Sequence, residues 1–289
     1  MKEGFFMKYI DLHVHSNVSD GSLTPSELVK EALRCNLAAF ALTDHDTVSG
    51  VSEAIEAAKG TGIEVIPGAE ISAGYKKKDI HILGLLLRYD DPKLQATLEE
   101  AIKERDARNE KMANNLANGG LDIDIDRLKA AFPPDTVLTR AHFARYLAET
   151  GQVKYINAAF DHYLNADGPY YVPRKYITPE DAIALIKHAG GIPVLAHPLI
   201  YHLPEEELDA LICRLKNAGL AGLEVFYSSN TGFDEGILRR YANKYDLLMT
   251  GGSDFHGSNK PHISLGSGKG NLKIPYSVLE HLKEYQATH

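Results

Sequence analysis

Tryptophan is absent from the 289-residue chain, methionine occurs only four times, and cysteine only twice, at Cys35 and Cys213. Two thiols build neither a disulfide framework nor a thiolate zinc cage, so the expected setting is reducing and cytoplasmic. Positive charge is also short: 31 Lys and Arg against 39 Asp and Glu leave a net charge of −8. That balance excludes coating of duplex DNA or of an anionic membrane through overall charge, while leaving room for a local basic pocket. Long apolar runs are missing too. The stretch 80–87 is among the longest, and a membrane-spanning helix needs about 20 apolar residues. At the N-terminus only Gly4-Phe5-Phe6-Met7 is apolar, too little for a secretory signal, and Met7 offers an alternative start. No internal repeat or low-complexity tail is visible, and nothing in the chain demands an obligate protein partner.

What remains is an ordinary globular composition, 44% hydrophobic and 24% charged, with room for one large or two modest domains. A βα rhythm opens the chain. Residues 8–14 alternate as a strand, with Ile10, Leu12 and Val14 on one face and Asp11, His13 and His15 on the other. Thr24-Pro25, with Glu27 beyond, caps a helix to about Arg34. Strands follow at 38–43 and 63–66 around a helix at 51–59. The next strand, 80–87, is joined by so short a link that it must be antiparallel or strongly bent. The middle changes character. Residues 94–118 read as a long amphipathic helix, 141–150 and 154–163 as shorter ones, and 169–176 as an extended return, together an all-α insertion. The rhythm resumes with helices 179–189, 204–218, 233–245 and 277–285 and strands 192–196, 222–226 and 247–250. Short-linked βα units with seven strands favour a closed parallel α/β barrel over an open sheet. Loop 257–271, rich in Gly and Ser, reads as mobile.

Histidine is the residue in excess, with 13 copies. Composition alone produces about 0.6 His-x-His triplets in such a chain, so His13-Val14-His15 taken alone reads equally as two satisfied histidines. Position changes the reading. Two His at i and i+2 face the same side of a strand, and these end the first strand, where barrel enzymes build their sites. The second strand ends in Thr43-Asp44-His45-Asp46 and the third in Gly68-Ala69-Glu70, while His81 sits in the fourth. Strand 192–196 runs into His197-Pro198, and the last strand ends in Gly251-Gly252-Ser253-Asp254-Phe255-His256. Asp20 follows the first strand in a Ser19-Asp20-Gly21 turn. Structural acids and histidines do not favour strand ends so consistently. Imidazole and carboxylate are ligands for Zn, Mn or Fe. Six His and three carboxylates exceed the needs of one ion; at about three protein ligands per catalytic ion, they supply three.

In this order the motifs resemble those of the PHP family, named for polymerase and histidinol phosphatase, over nearly the whole chain. The most similar branch carries an α-helical insertion and includes 3′,5′-nucleoside bisphosphate phosphatases and the 5′→3′ exoribonuclease ribonuclease AM. The resemblance implies a distorted (βα)7 TIM-like barrel, here residues 1–91 and 170–289, with the α-helical insertion 92–169 covering the active site. It implies three divalent ions, Mn, Zn or Fe, and no organic cofactor. Carried over by position, one ion takes His13, His15, Glu70 and Asp254. A second takes Asp20, His45 and His256, and the third takes Glu70, His81 and His197, with Glu70 bridging. Asp20, His45 and His256 then stand at the reacting centre, where a metal-bound hydroxide attacks. The implied activity is phosphoester hydrolysis on 3′,5′-bisphosphonucleotides such as pAp, on AMP, or at the 5′ ends of short single-stranded RNA.

The insertion supplies the cations that an acidic chain otherwise lacks. Lys103, Arg105 and Arg108 share a helix, and Arg140 opens another within Thr139-Arg140-Ala141-His142. Arg105 and Arg108 share a face, which fits either anion binding or pairing with Glu104 and Glu110. The resemblance favours Arg108 and Arg140 as substrate contacts, and Arg105 and His142 are expected beside them. One departure is clear: some relatives place a basic residue soon after Ala196-His197-Pro198, where this chain has Leu199-Ile200-Tyr201. Tyr170, Tyr171 and Tyr176 suit packing or stacking on a base. Two other readings compete. A non-catalytic metal-binding PHP module predicts a missing ligand, and none is missing. An amidohydrolase-type deaminase shares the first His-x-His but uses a strand Lys or a different His order, and no rim Lys is present.

Overall fold

A computed structural model describes residues 8–76, 78–165 and 168–289; the alternative start at Met7 lies outside them. Eight strands form one sheet in the order β7-β6-β5-β4-β3-β2-β1-β8. They are β1 (Tyr9–Val14), β2 (Leu37–Leu42), β3 (Glu64–Tyr75), β4 (Lys78–Leu85), β5 (Ile192–Leu195), β6 (Gly222–Tyr227), β7 (Leu248–Gly252) and the short β8 (Ile274–Pro275). β4 is antiparallel to both of its neighbours, and β8 is antiparallel to β1; the remaining pairs are parallel. Of the two outcomes left open by the short link before residue 80, a reversal or a strong bend, the chain takes the reversal, and β3 runs on well past the expected 63–66. The sheet closes where the segment after β7 meets β1. There Asp254 N–H donates to His13 O (2.9 Å) and His15 N–H donates to Phe255 O (3.0 Å).

Helices α1 (Pro25–Arg34), α2 (Val51–Ala58), α7 (Pro179–His188), α8 (Glu205–Asn217) and α9 (Gly232–Lys244) flank the strands, and α10 (Ser277–Thr288) ends the chain. Thr24 caps α1 with the reciprocal bonds of a capping box. One buried apolar cluster joins these flanking helices to the outward strand residues, among them Phe40, Ile82 and Leu223. A second draws only on strands, their flanks and α10, with Ile10, Leu12, Ala41, Leu83 and Val194, and fills the barrel. Between β4 and α7 lie α3 (Pro92–Asn118), α4 (Ile125–Ala130), α5 (Arg140–Glu149), α6 (Ile156–Ala159) and a π-helical turn, Phe160–Leu164. They bury a core of their own around Met112, Leu116, Phe143 and Leu147. The sequence showed no sign of α4, a helix of six residues.

Two local features differ from simple alternation. The β1–β2 register slips between Asp11 and Val14, and Val14 joins the outer cluster while Ile10 and Leu12 belong inside. This bulge lets Leu12 and His13 both face inward, so His13 and His15 point into the barrel mouth. The loop 257–271 is fastened rather than loose. Gly266 N–H donates to the buried Asp11 carboxylate (2.8 Å), Asn259 Nδ2 donates to Asp20 O (2.9 Å), and Ile263 and Leu265 are buried.

Candidate active site

Ladder bonds continue past the strand ends and set the site. Glu70 N–H donates to Asp44 O and Asp46 N–H to Glu70 O, which holds the segments after β2 against β3. Because β4 is reversed, His81 near its start reaches the rim where the parallel strands end. The loop from β1 to Asp20 is held by Asp44, whose carboxylate accepts Ser16 N–H and the hydroxyls of Ser16 and Ser19, at 2.6–2.8 Å. Gly21 is obligatory in this turn, since a Cβ there would lie 2.3 Å from His15 O. Asp46, His197 and Asp254 all adopt positive φ (54°, 28° and 56°), a strain of about 1–3 kcal/mol each that tends to gather at functional sites.

These devices converge nine groups on one centre. Glu70 Oε2 lies 3.4 Å from His13 Nε2, 3.2 Å from His15 Nε2 and 3.1 Å from His45 Nδ1. Its Oε1 lies 2.7 Å from His81 Nδ1 and 2.9 Å from His197 Nε2. Asp254 Oδ1 faces both His15 Nε2 and His256 Nδ1 at 3.4 Å, while its Oδ2 accepts bonds from Tyr227 and Lys260. Asp20 sits 3.1 Å from His256 Nε2 and 3.7 Å from His45 Nε2. Four sets of donor atoms lie within 4.8 Å of one another: His15, Asp20, His45 and His256; His13, His15 and Asp254; His13, Glu70 and His197; and His45, Glu70 and His81. In these sets His197 groups with His13 and His81 with His45, while Glu70 Oε1 faces both His81 and His197.

Burial taxes every charge here, yet the surrounding imidazoles hold the carboxyls of Asp20 and Glu70 well below the usual range. Burial pushes His45 down to about 3, whereas the Asp254 and Glu70 carboxylates outweigh burial at His15 and raise it to about 9. His13 Nε2, both ring nitrogens of His15, His45 Nδ1, His197 Nδ1 and Asp20 Oδ1 are buried without a hydrogen-bond partner. Leaving so many polar atoms unpaired costs free energy that a cation bound among them removes. Imidazole and carboxylate donors facing one another across a few ångströms fit divalent transition ions.

Beside this centre lies a cavity of about 180 Å³ lined by Asp20, His45, His81, Arg105, Arg108, Arg140, Phe160 and Tyr176. Arg105 is not free: it binds the Asp46 carboxylate and Ser72 Oγ. Arg174, which the sequence reading missed, reaches the same Asp46 oxygen at 3.0 Å. Arg108 has no carboxylate partner among the described residues; burial and the nearby Arg105 push it down to about 10. Among the described residues Arg140 donates to Leu164 O (3.3 Å) and lies over the Tyr171 ring. His142 is buried in the first turn of α5. Its Nδ1 accepts Thr139 N–H at 2.9 Å, completing the α5 cap, and burial lowers it to about 4. Lys103 is exposed. Tyr201, in the stretch after Ala196-His197-Pro198, is buried, accepting His81 N–H and donating to Ala196 O. Tyr176 lines the cavity under Arg174 and Tyr170 packs on Tyr163. A larger cavity, about 590 Å³ between α8 and α9, contains none of these groups.

The PHP domain description matches residues 11–257. The chain belongs to the PHP domain family. Within it, the chain is 39% identical over 249 residues to a 5′-3′ exoribonuclease of Haemophilus influenzae, covering 86% of this chain and 90% of that one. It is 36% identical over 250 residues to a 3′,5′-nucleoside bisphosphate phosphatase of Chromobacterium violaceum, covering 86% and 88%. Among solved structures, a protein of Bifidobacterium adolescentis assigned as a metal-dependent phosphoesterase superposes with a TM-score of 0.84 at 30% identity, over 95% of both chains. An amidohydrolase of Chromobacterium violaceum with bound sulfate and no metal superposes with a TM-score of 0.87 at 33% identity, over 96% of both. No helix of the described residues of this PHP protein is long and apolar enough to cross a membrane.

Proposed function

We propose that this PHP protein is a phosphoesterase for small nucleotides, acting on 3′,5′-bisphosphonucleotides such as pAp, on AMP, or at the 5′ end of short single-stranded RNA. It is a phosphoric ester hydrolase, as its relatives are named. The observation that carries the substrate reading is the pairing, in one cavity, of the His and carboxylate centre with Arg108 and Arg140, two guanidiniums without carboxylate partners among the described residues. In this reading three divalent ions, Mn, Zn or Fe, are held by His13, His15, Asp20, His45, Glu70, His81, His197, Asp254 and His256. Ions there supply the positive charge that activates water and neutralises the scissile phosphate. Asp20, His45 and His256 border the cavity and orient the reacting group. Arg108 and Arg140 grip a non-scissile phosphate, and Phe160 and Tyr176 flank the nucleoside. Residues 92–169 act as an insertion that places these cations over the barrel mouth. Lys260, the lysine that reaches the centre, comes from the loop after β7 and is bound to Asp254 rather than placed on a strand as a deaminase would have it, and the complete donor set disfavours a non-catalytic module.

Arg140→Ala tests the reading. It is expected to leave metal content unchanged and to raise KM for pAp roughly 10- to 150-fold, the equivalent of a charge-assisted hydrogen bond. An aryl phosphate, which has only the scissile group, should be little affected. Equal impairment of both substrates would move Arg140 to the scissile phosphate or to the fold. Product analysis with pAp, AMP and a short 5′-phosphorylated RNA then separates the two activities of the branch.

A further inference from the structure

Glu224 stands in the middle of β6, wholly buried, and belongs to none of the motifs that mark the metal centre. Its two oxygens are committed to different elements. Oε1 lies 2.9 Å from His13 Nδ1, on β1, and Oε2 accepts the backbone N–H of His197, just past β5, at 2.7 Å. The two histidines are stacked, with ring centroids 5.6 Å apart, and both turn Nε2 toward the Glu70 carboxylate. His197 is also the residue held at a φ of 28°. One carboxylate therefore braces both histidines that flank one side of Glu70, His13 through its ring and His197 through its backbone.

We infer that Glu224 is a positioning residue that fixes His13 in the tautomer able to bind an ion and pins the strained backbone of His197. The argument is one of donors and acceptors. The His197 N–H can only donate, so it requires an acceptor at Oε2. His13 binds an ion through Nε2 only if its other proton sits on Nδ1, so it too requires an acceptor, at Oε1. A carboxylate offers two acceptors and meets both demands. A glutamine of the same shape offers one acceptor and one donor. If its amide nitrogen faces His13, the proton moves to Nε2 and blocks the ligand atom. If the nitrogen faces His197, two N–H groups collide in a buried site. This inference rests on the reading of His13 as a metal ligand.

The test compares Glu224→Gln, Glu224→Asp and His13→Ala as purified full-length proteins loaded with zinc. Metal retention is measured by elemental analysis during titration with a competing chelator. The tautomer of His13 is read by long-range proton–nitrogen NMR of the zinc form. E224Q should weaken zinc retention 10- to 100-fold, the usual effect of removing such a partner, and should abolish the Nδ1–H signature of His13. E224D, shorter but still offering two acceptors, should retain zinc better than the isosteric E224Q. If E224Q matches the wild type in retention and tautomer, or E224D is the worse of the two, Glu224 acts through size alone and the inference is wrong. Wild-type retention in H13A would instead overturn the ligand reading itself. Should E224Q fail to fold, the wild-type spectrum decides: zinc on Nε2 with a proton on Nδ1 supports the inference, and zinc on Nδ1 overturns it.

Discussion

Asp20 shows how much one side chain is asked to do. Its carboxylate faces His256 and His45 in the barrel and accepts the Thr139 hydroxyl at 3.0 Å from the cap of α5. Asp20→Asn keeps the shape and removes the charge, so turnover is expected to fall by at least about 100-fold, the scale of losing one electrostatic contact in a dry site. Steady-state kinetics with pAp checks it, and a near wild-type rate would return Asp20 to an ordinary turn residue. At this scale the sequence was informative where an acid or histidine ended a strand. It was silent on Arg174, which sits in an irregular segment with no motif around it. Glu224 leaves a faint signal, a single charge inside the apolar stretch Gly222-Leu223-Glu224-Val225-Phe226.

Among the elements, the join between α3, the 174–176 segment and β3 depends on Asp46. Its Oδ1 accepts Ser72 N–H at 2.7 Å, and its Oδ2 takes both Arg105 and Arg174. Burial opposes its charge, but Arg174 and Arg105 hold its carboxyl well below the usual range. Asp46→Asn leaves two buried guanidiniums without an anion and should lower stability by about 3–5 kcal/mol, read by chemical denaturation. The sign with pH is definite. A depressed carboxyl contributes fully above the ordinary carboxylate value, near pH 4, and loses its contribution as pH falls further. The stability difference between wild type and D46N should therefore shrink in strong acid. Element types were legible from periodicity and caps, as at Thr24 and Thr178, which accept the N–H bonds expected of them. The bulge in β1 was not, because it depends on which neighbour each residue meets across the ladder.

For the whole molecule, an acidic chain concentrates Arg105, Arg108, Arg140 and Arg174 near one mouth, where Asp46 offsets Arg105 and Arg174 and leaves the charges of Arg108 and Arg140 to face the cavity. Such focusing draws a small anion in without a basic surface overall. Protein purified without chelator is expected to hold more than two equivalents of transition metal per chain by elemental analysis. EDTA should abolish activity and lower the melting temperature, since ions bound only by the folded form stabilise it by mass action. One equivalent or less in fully active protein would overturn the three-ion reading.

The sequence by itself determined the alternation of strands and helices, a fourth strand either reversed or strongly bent, and the positions at which acids and histidines would gather. Those are local properties: periodicity, caps, link length and residue type at a strand end. Tertiary structure alone decided which arginines keep their charge free for a ligand. Arg105 and Arg108 look alike on one helix, yet one meets Asp46 and the other, among the described residues, donates to the Met112 sulfur. It also decided that His142 caps α5, that the loop 257–271 is tied down, and that His13 shares Glu224 with His197. Each depends on partners distant along the chain, and a hydrogen bond or ion pair forms only where packing brings its two halves within about 3 Å.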